Sequence, residues 1–173
     1  IGALQYNKNV DLVIHAFARV HTKHPNSHLL IIGEGYEKST LEQLINSYRL
    51  SSHIKLLGSV PSVLAYLEHV IDVNLQLSSE IEFGITSIEA AGCGLPTIAT
   101  NIGDMKDIVI DNETGFLIED QNIYTLIHAM SSYAKNKNLA QQMGHKAQAL
   151  ALKKYDPKSY HHEITTKIEK VIG

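Results

Sequence analysis

A single cysteine, Cys93, leaves no partner for a disulfide within this chain. Such sparse cysteine usage points to an intracellular protein. Cys93 lies among apolar neighbours, a poor setting for a reactive thiol. No apolar stretch approaches the roughly 18 residues a membrane helix needs, and no signal peptide is visible. Excess charge is lacking too. Fifteen Lys and Arg against 18 Asp and Glu leave a net charge of −3, too mild for a nucleic-acid footprint. No run of like charge forms a tail. There is no Gly-Lys-Ser/Thr phosphate loop and no nucleophile elbow. Ten His are present, but none joins Cys or carboxylates at a zinc spacing. His21 and His24 are three apart and His161 and His162 adjacent, so no metal site is expected. Asn112-Glu113-Thr114 fits a glycosylation sequon, which has no meaning in the cytoplasm.

What is present is ordinary globular composition, 44% hydrophobic over 173 residues, enough for one domain with a full core. Short apolar runs alternate with helical periodicity. Leu29–Ile32 ends at Gly33, Ile54–Leu57 ends at Gly58, and Ile71–Leu77 alternates in character. Thr97–Thr100 follows Pro96, and Gly115–Ile118 follows a Glu-Thr-Gly turn. Continuous apolar strands predict burial on both faces, as in a parallel sheet. Val10 to His24 carries Leu12, Val13, Ala16, Phe17 and Val20 on one helical face. Ser39 and Glu42 predict a capping box, and Pro61 a helix start. Beyond Asn122 the pattern is helical to the end, punctuated by Gly144 and Pro157. The expected fold is a Rossmann-like, doubly wound α/β domain. The chain opens at Ile1 without Met, and Ile1–Leu4 reads like the end of a strand. We therefore expect part of a longer protein.

In such folds ligands bind beyond the carboxyl ends of the strands. Gly33-Glu34-Gly35, Gly58-Ser59, Ser78-Ser79-Glu80, Gly84 to Glu89 and Asn101-Ile102-Gly103 all fall there. Gly84 before a helix start lets a ligand approach the backbone, and free N–H groups of the first turn favour an anion. A diphosphate fits that seat. Thr86-Ser87-Ile88-Glu89 equally fits a capping box, with Thr86 as N-cap. The two readings compete for the Glu89 carboxylate. Gly33-Glu34-Gly35 is no dinucleotide fingerprint, because Lys38 stands where the third Gly would fall. Lys8, in an early loop, could reach a phosphate as a point charge.

Phe83-Gly84-Ile85-Thr86-Ser87-Ile88-Glu89-Ala90-Ala91-Gly92-Cys93-Gly94-Leu95-Pro96 and the strand after it resemble the signature of GT-B glycosyltransferases of the group 1 (family 4) type. Lys8 sits where that family has the Lys of its first-loop Gly-Arg-Leu…Lys-Gly motif. Gly33-Glu34-Gly35 resembles its Gly-Asp/Glu-Gly-Pro turn. Leu57-Gly58-Ser59-Val60 resembles the segment bordering the base, and Asn112 to Ile118 a late Gly-Glu-Thr-Gly turn and strand. The likeness covers nearly the whole chain.

The resemblance implies one domain over residues 1–173, the C-terminal donor-binding half of a retaining two-domain enzyme. It implies a nucleotide-sugar ligand, UDP-, GDP- or ADP-linked, and no metal or other cofactor. The Gly84–Thr86 backbone would hold the diphosphate, Lys8 would neutralise it, and Glu89 would bind ribose. Gly33, Gly35, Gly58, Ser59, Val60, Phe83 and Ile85 complete the implied donor site. The glycan or lipid-linked acceptor would come with an N-terminal domain outside this chain, so the chain alone is expected to be inactive. The full enzyme is expected in the cytoplasm, peripheral at the inner membrane face. Two positions depart from the family pattern. The first Glu of E-x7-E falls at Ile81, with Glu80 and Glu82 flanking it as catalytic candidates. The family Arg falls at Ala3. A degenerate nucleotide-binding or scaffold module is the alternative.

Overall fold

The computed structural model describes residues 1–81, 83–119 and 122–155. Five strands alternate with helices along the chain. They are β1 (Leu29–Ile32), β2 (Ile54–Gly58), β3 (Asn74–Gln76), β4 (Thr97–Thr100) and β5 (Gly115–Ile118). The helices are α1 (Val10–His21), α2 (Lys38–Ser47), α3 (Val63–His69), α4 (Ile85–Gly92), α5 (Met105–Ile108), α6 (Ile123–Lys135) and α7 (Lys137–Tyr155). All strand pairs are parallel, in two blocks: β1 with β2, and β3-β4-β5 with β4 central. This is the Rossmann-like arrangement the sequence predicts. The apolar runs explain it: β4 is buried at all four positions, as a strand covered on both faces must be.

One core joins both blocks. Val13, Ile14 and Phe17 of α1 meet Leu29 and Ile31 of β1, Ile98 of β4 and Leu126 of α6. Burying each such side chain contributes about 1.5–3 kcal/mol. A second seam packs α4 on α7 through small residues, Ala91 against Ala147 and Ala151. Gly144 lies inside α7, where a Cβ would collide with the Gly94 carbonyl. It is the point where α7 meets the turn after α4, not the punctuation its sequence position predicts.

Several predicted boundaries move. Helix α1 stops at His21 rather than His24, because Pro25 disfavours helix at the residue before it. Helix α2 begins at Lys38 with Glu37 as N-cap, so Ser39 sits within the helix and the Ser39–Glu42 box does not form. Pro61 precedes the start of α3; the N-cap is Ser62, whose Oγ accepts from the Ala65 N–H at 3.3 Å. The predicted strand 71–77 contracts to Asn74–Gln76, paired on one side only, with β4. Ile1–Leu4 is not a strand, although Gly2 and Leu4 bond to Ile32 and Glu34. The helical region after Asn122 divides at Asn136. Pro157, His161 and His162 lie outside the described residues.

Candidate nucleotide-binding site

The predicted loops meet at one edge of the sheet, stitched together by backbone bonds. Gly33 N–H donates to the Gly58 carbonyl at 2.9 Å, joining the ends of β1 and β2. Leu4 N–H donates to the Glu34 carbonyl at 2.9 Å. The chain then turns through a short 3-10 segment, Tyr6–Lys8, toward the end of β3. There the Asn7 carbonyl accepts from Ser79 N–H at 2.8 Å, and Asn9 Nδ2 donates to the Leu77 carbonyl at 2.7 Å. Lys8 is thereby held between the ends of β1 and β3.

Glu80 belongs to this junction. Its Oε2 accepts from Asn7 Nδ2 at 2.8 Å. Burial pulls the Lys8 ammonium below its ordinary value, and the Glu80 carboxylate partly offsets this. Ser78 Oγ accepts from the Glu80 N–H at 3.2 Å and donates to the Asn7 carbonyl at 3.3 Å. Of the two flanking carboxylates, Glu80 is therefore tied to the Lys8 loop. Glu82 lies outside the described residues. Ile81 is 76% exposed and packs against Gly103 after β4, where an added Cβ would come within 2.8 Å of Ile81 Cγ2.

Helix α4 starts at Ile85, with Gly84 as its N-cap at φ 68° and ψ 29°. That left-handed conformation suits Gly and little else. No side chain caps the helix, so the Thr86–Glu89 capping box does not form. Thr86 is already inside the first turn, too far along to serve as N-cap. The first bonds run from Ser87 and Ile88 N–H to the Gly84 carbonyl, at 2.9 and 3.1 Å. The Ile85 and Thr86 N–H groups precede that ladder, the position that favours an anion. Phe83 and Ile85 are exposed, as is Glu89.

The predicted glycines divide by role. A Cβ on Gly33 would strike the Gly2 carbonyl, and one on Gly35 the Leu4 carbonyl. Both are small because the 1–4 segment crosses them. Gly58, at φ 68°, faces Glu34 Oε1 at 2.5 Å from an added Cβ. Ser59 is exposed beside it and Val60 half-buried. Burial, then Glu68 and Glu89, push the Cys93 thiol up, which fits an unreactive side chain. The residue that sequence reasoning missed is Asn7. Its carbonyl and amide hold the β3 loop and Glu80, and its only sequence signal was adjacency to Lys8.

Among the described residues no group of three His, Cys, Asp or Glu is placed to hold a metal ion. Among them no helix is long and apolar enough to cross a membrane.

The family profile of glycosyl transferases group 1 matches residues 1–150. Among characterised relatives, N-acetyl-alpha-D-glucosaminyl L-malate synthase of Bacillus anthracis is 31% identical over 81% of this chain and 36% of its own length. The gpi3 subunit of phosphatidylinositol N-acetylglucosaminyltransferase from Schizosaccharomyces pombe is 32% identical over 79% of this chain and 31% of its own. The chain thus spans about a third of the length of these relatives. Among solved structures, S. aureus TarM with UDP, alpha-GlcNAc-glycerol and fondaparinux superposes with a TM-score of 0.87 at 26% identity, over 95% of this chain and 34% of that one. Anabaena HepE with UDP superposes with a TM-score of 0.90 at 22% identity, over 98% and 47%. The chain belongs to the group 1 glycosyl transferases and has the Rossmann-like fold found in GT-B enzymes.

Proposed function

We propose that this chain is the donor-binding part of a retaining glycosyltransferase that moves a hexose-type sugar from a nucleotide to a cell-surface glycan or glycolipid. The observation that carries the reading is the open first turn of α4 under a left-handed Gly84, at the same sheet edge as Lys8 and Glu80. The Ile85 and Thr86 N–H groups would take the diphosphate, and the Lys8 ammonium would balance its charge without a metal. Such preset donors do the most where charge develops on the leaving diphosphate. Glu89, exposed on α4, would accept from the ribose hydroxyls. Gly58, Ser59 and Val60 would border the base, and Gly33 and Gly35 the turn beside it. Glu80, oriented by Asn7, would face the transferred sugar. UDP is the first nucleotide to try, because TarM and HepE were solved with it. The acceptor would bind across a partner domain, and this chain alone would not turn over. In the full enzyme, a peripheral position at the inner membrane face would bring the site to a lipid-linked acceptor.

One observation favours a second reading, a module that binds nucleotide without catalysis. Ile81 stands where the family places a Glu, and its side chain rests on Gly103. Calorimetric titration with UDP, GDP and ADP, with no metal added, tests the site. Binding of one nucleotide, weakened at least tenfold in Glu89→Ala, supports the donor reading. Binding by none to the folded chain joined to its partner domain refutes the donor reading and leaves a scaffold module without a ligand.

A further inference from the structure

The loops of the candidate site follow an order along the strand ends. Gly58–Val60 close β2 at one side. Lys8 and Glu80 come next, where Asn7 bonds to Ser79 and Glu80 after β3. The first turn of α4 follows β3, and Asn101–Gly103 follow β4, which pairs with β3 on the far side. A nucleotide-sugar with its base at Gly58–Val60 and its diphosphate on the Ile85 and Thr86 N–H groups leaves one place for the sugar. That place lies between Glu80 and the loop after β4.

Its two walls are unlike. On the β1 side stand the Lys8 ammonium and Glu80, whose Oε2 accepts from Asn7 Nδ2 at 2.8 Å. On the β4 side stands Ile81. A Cβ added to Gly103 would lie 2.8 Å from Ile81 Cγ2 and 3.4 Å from its Cγ1, so one face of the side chain rests on that glycine. The rest is open, since Ile81 is 76% exposed. Asn101 of the same loop is engaged elsewhere, its Nδ2 donating to Glu119 Oε1 at 2.9 Å. Nearer the diphosphate seat, Met105 Cε and Ile108 Cδ1 would lie 3.2 and 2.7 Å from a Cβ added to Gly84. Apolar side chains therefore back both glycines of this wall. A hydroxyl pressed on Ile81 would lose its water and find no acceptor in that side chain. A methyl group would gain by leaving water there.

We propose that Ile81 selects the donor sugar, favouring one that carries a methyl group where a plain hexose ends in a hydroxyl. Two classes share this chemistry, 6-deoxyhexoses and acetamido hexoses. Glu80 would hold hydroxyls at the opposite edge, so the sugar is gripped by its polar side and sorted by its apolar one. The proposal rests on the donor reading above and deepens it. It makes Ile81 a specificity residue of a working site instead of the mark of a lost one.

Calorimetry on the chain joined to its partner domain tests it. The probes are UDP, UDP-glucose, UDP-6-deoxyglucose and UDP-N-acetylglucosamine, or the same series on GDP or ADP where that diphosphate is the one that binds. One of the two methyl-bearing sugars is expected to bind about tenfold to a hundredfold more tightly than the glucose form, the discrimination an apolar contact supplies. Which of the two does so names the class. Ile81→Gln should erase that advantage while leaving affinity for the free diphosphate within about twofold, the scale of a neutral change at an exposed position. Ile81→Ala removes apolar surface without adding a polar group and should erase most of the advantage too, which keeps the test open if the Gln variant fails to fold. A free diphosphate that binds while the glucose form binds as tightly as both methyl-bearing sugars overturns the proposal and leaves the donor reading standing. An advantage that survives both substitutions does the same. No binding of any nucleotide refutes the donor reading and this proposal with it.

Discussion

Glu89 is exposed and caps nothing, so its removal costs the fold little. Glu89→Ala is expected to change stability by less than about 0.5 kcal/mol. The same change should lower nucleotide affinity by about tenfold or more, the scale of a hydrogen bond to a charged group. Thermal unfolding and calorimetry on one sample read both numbers. Gly84 is the opposite case. At φ 68°, a Cβ would approach Ile108 Cδ1 at 2.7 Å and Met105 Cε at 3.2 Å. Gly84→Ala should destabilise by about 1–2 kcal/mol from left-handed strain alone and weaken nucleotide binding with it; urea unfolding measures the first. A third residue, His53, predicts a pH effect. Its ring lies 4.2 Å from His21 and 5.3 Å from His28, centroid to centroid. Burial, then His21, His28 and Lys55, hold His53 below its ordinary 6.5. The unfolded chain therefore binds a proton there before the folded one does. Stability from this group is present above about pH 6.5 and is lost as pH falls below it. Urea midpoints from pH 7.5 down to 5 should fall, and His53→Gln should flatten that slope.

At the scale of elements, the α4–α7 seam is the part least tolerant of bulk. Gly144 receives the Gly94 carbonyl, and Ala91 meets Ala147 and Ala151. Gly144→Ala gains about 1 kcal/mol of helix propensity. It also forces the backbones apart, at a cost of about 1–3 kcal/mol or more. The net expected result is a lower melting temperature, against the usual rise for Gly→Ala in a helix. Because α4 carries the candidate diphosphate seat, a shifted α4 should also weaken nucleotide binding. Helix caps were the least legible feature of the sequence. Ser39–Glu42 and Thr86–Glu89 both fit a capping box by spacing, and neither forms one, since each helix starts upstream of its expected N-cap. Ser62 and Asn122 do cap, the latter accepting from Tyr124 and Thr125 N–H. Neither has the Glu three residues on that the box requires, Ala65 and Thr125 standing there instead; where the preceding loop delivers the chain decides the cap.

For the molecule as a whole, the strand ends set the site. Parallel pairing puts the carboxyl ends together within each block, and the Gly2–Asn9 segment ties the end of β1 to the end of β3. The Gln5–Asn9 loop spans that edge and binds it through backbone bonds. The family profile covers residues 1–150, and the chain spans about a third of the length of two relatives.

The sequence by itself determined the strand and helix order, the parallel sheet and the family. These follow from apolar runs and periodicity, which are local, and from one long motif around Gly84. It also located the loops that would carry the site. Only the tertiary structure decided which residues in those loops face one another. It tied Glu80 to Asn7, seated Ile81 on Gly103, and showed Gly33 and Gly35 to be small for the sake of the 1–4 segment. Such contacts join residues some 20 to 75 positions apart, and no local pattern records them, because they depend on which surfaces the packed core brings face to face.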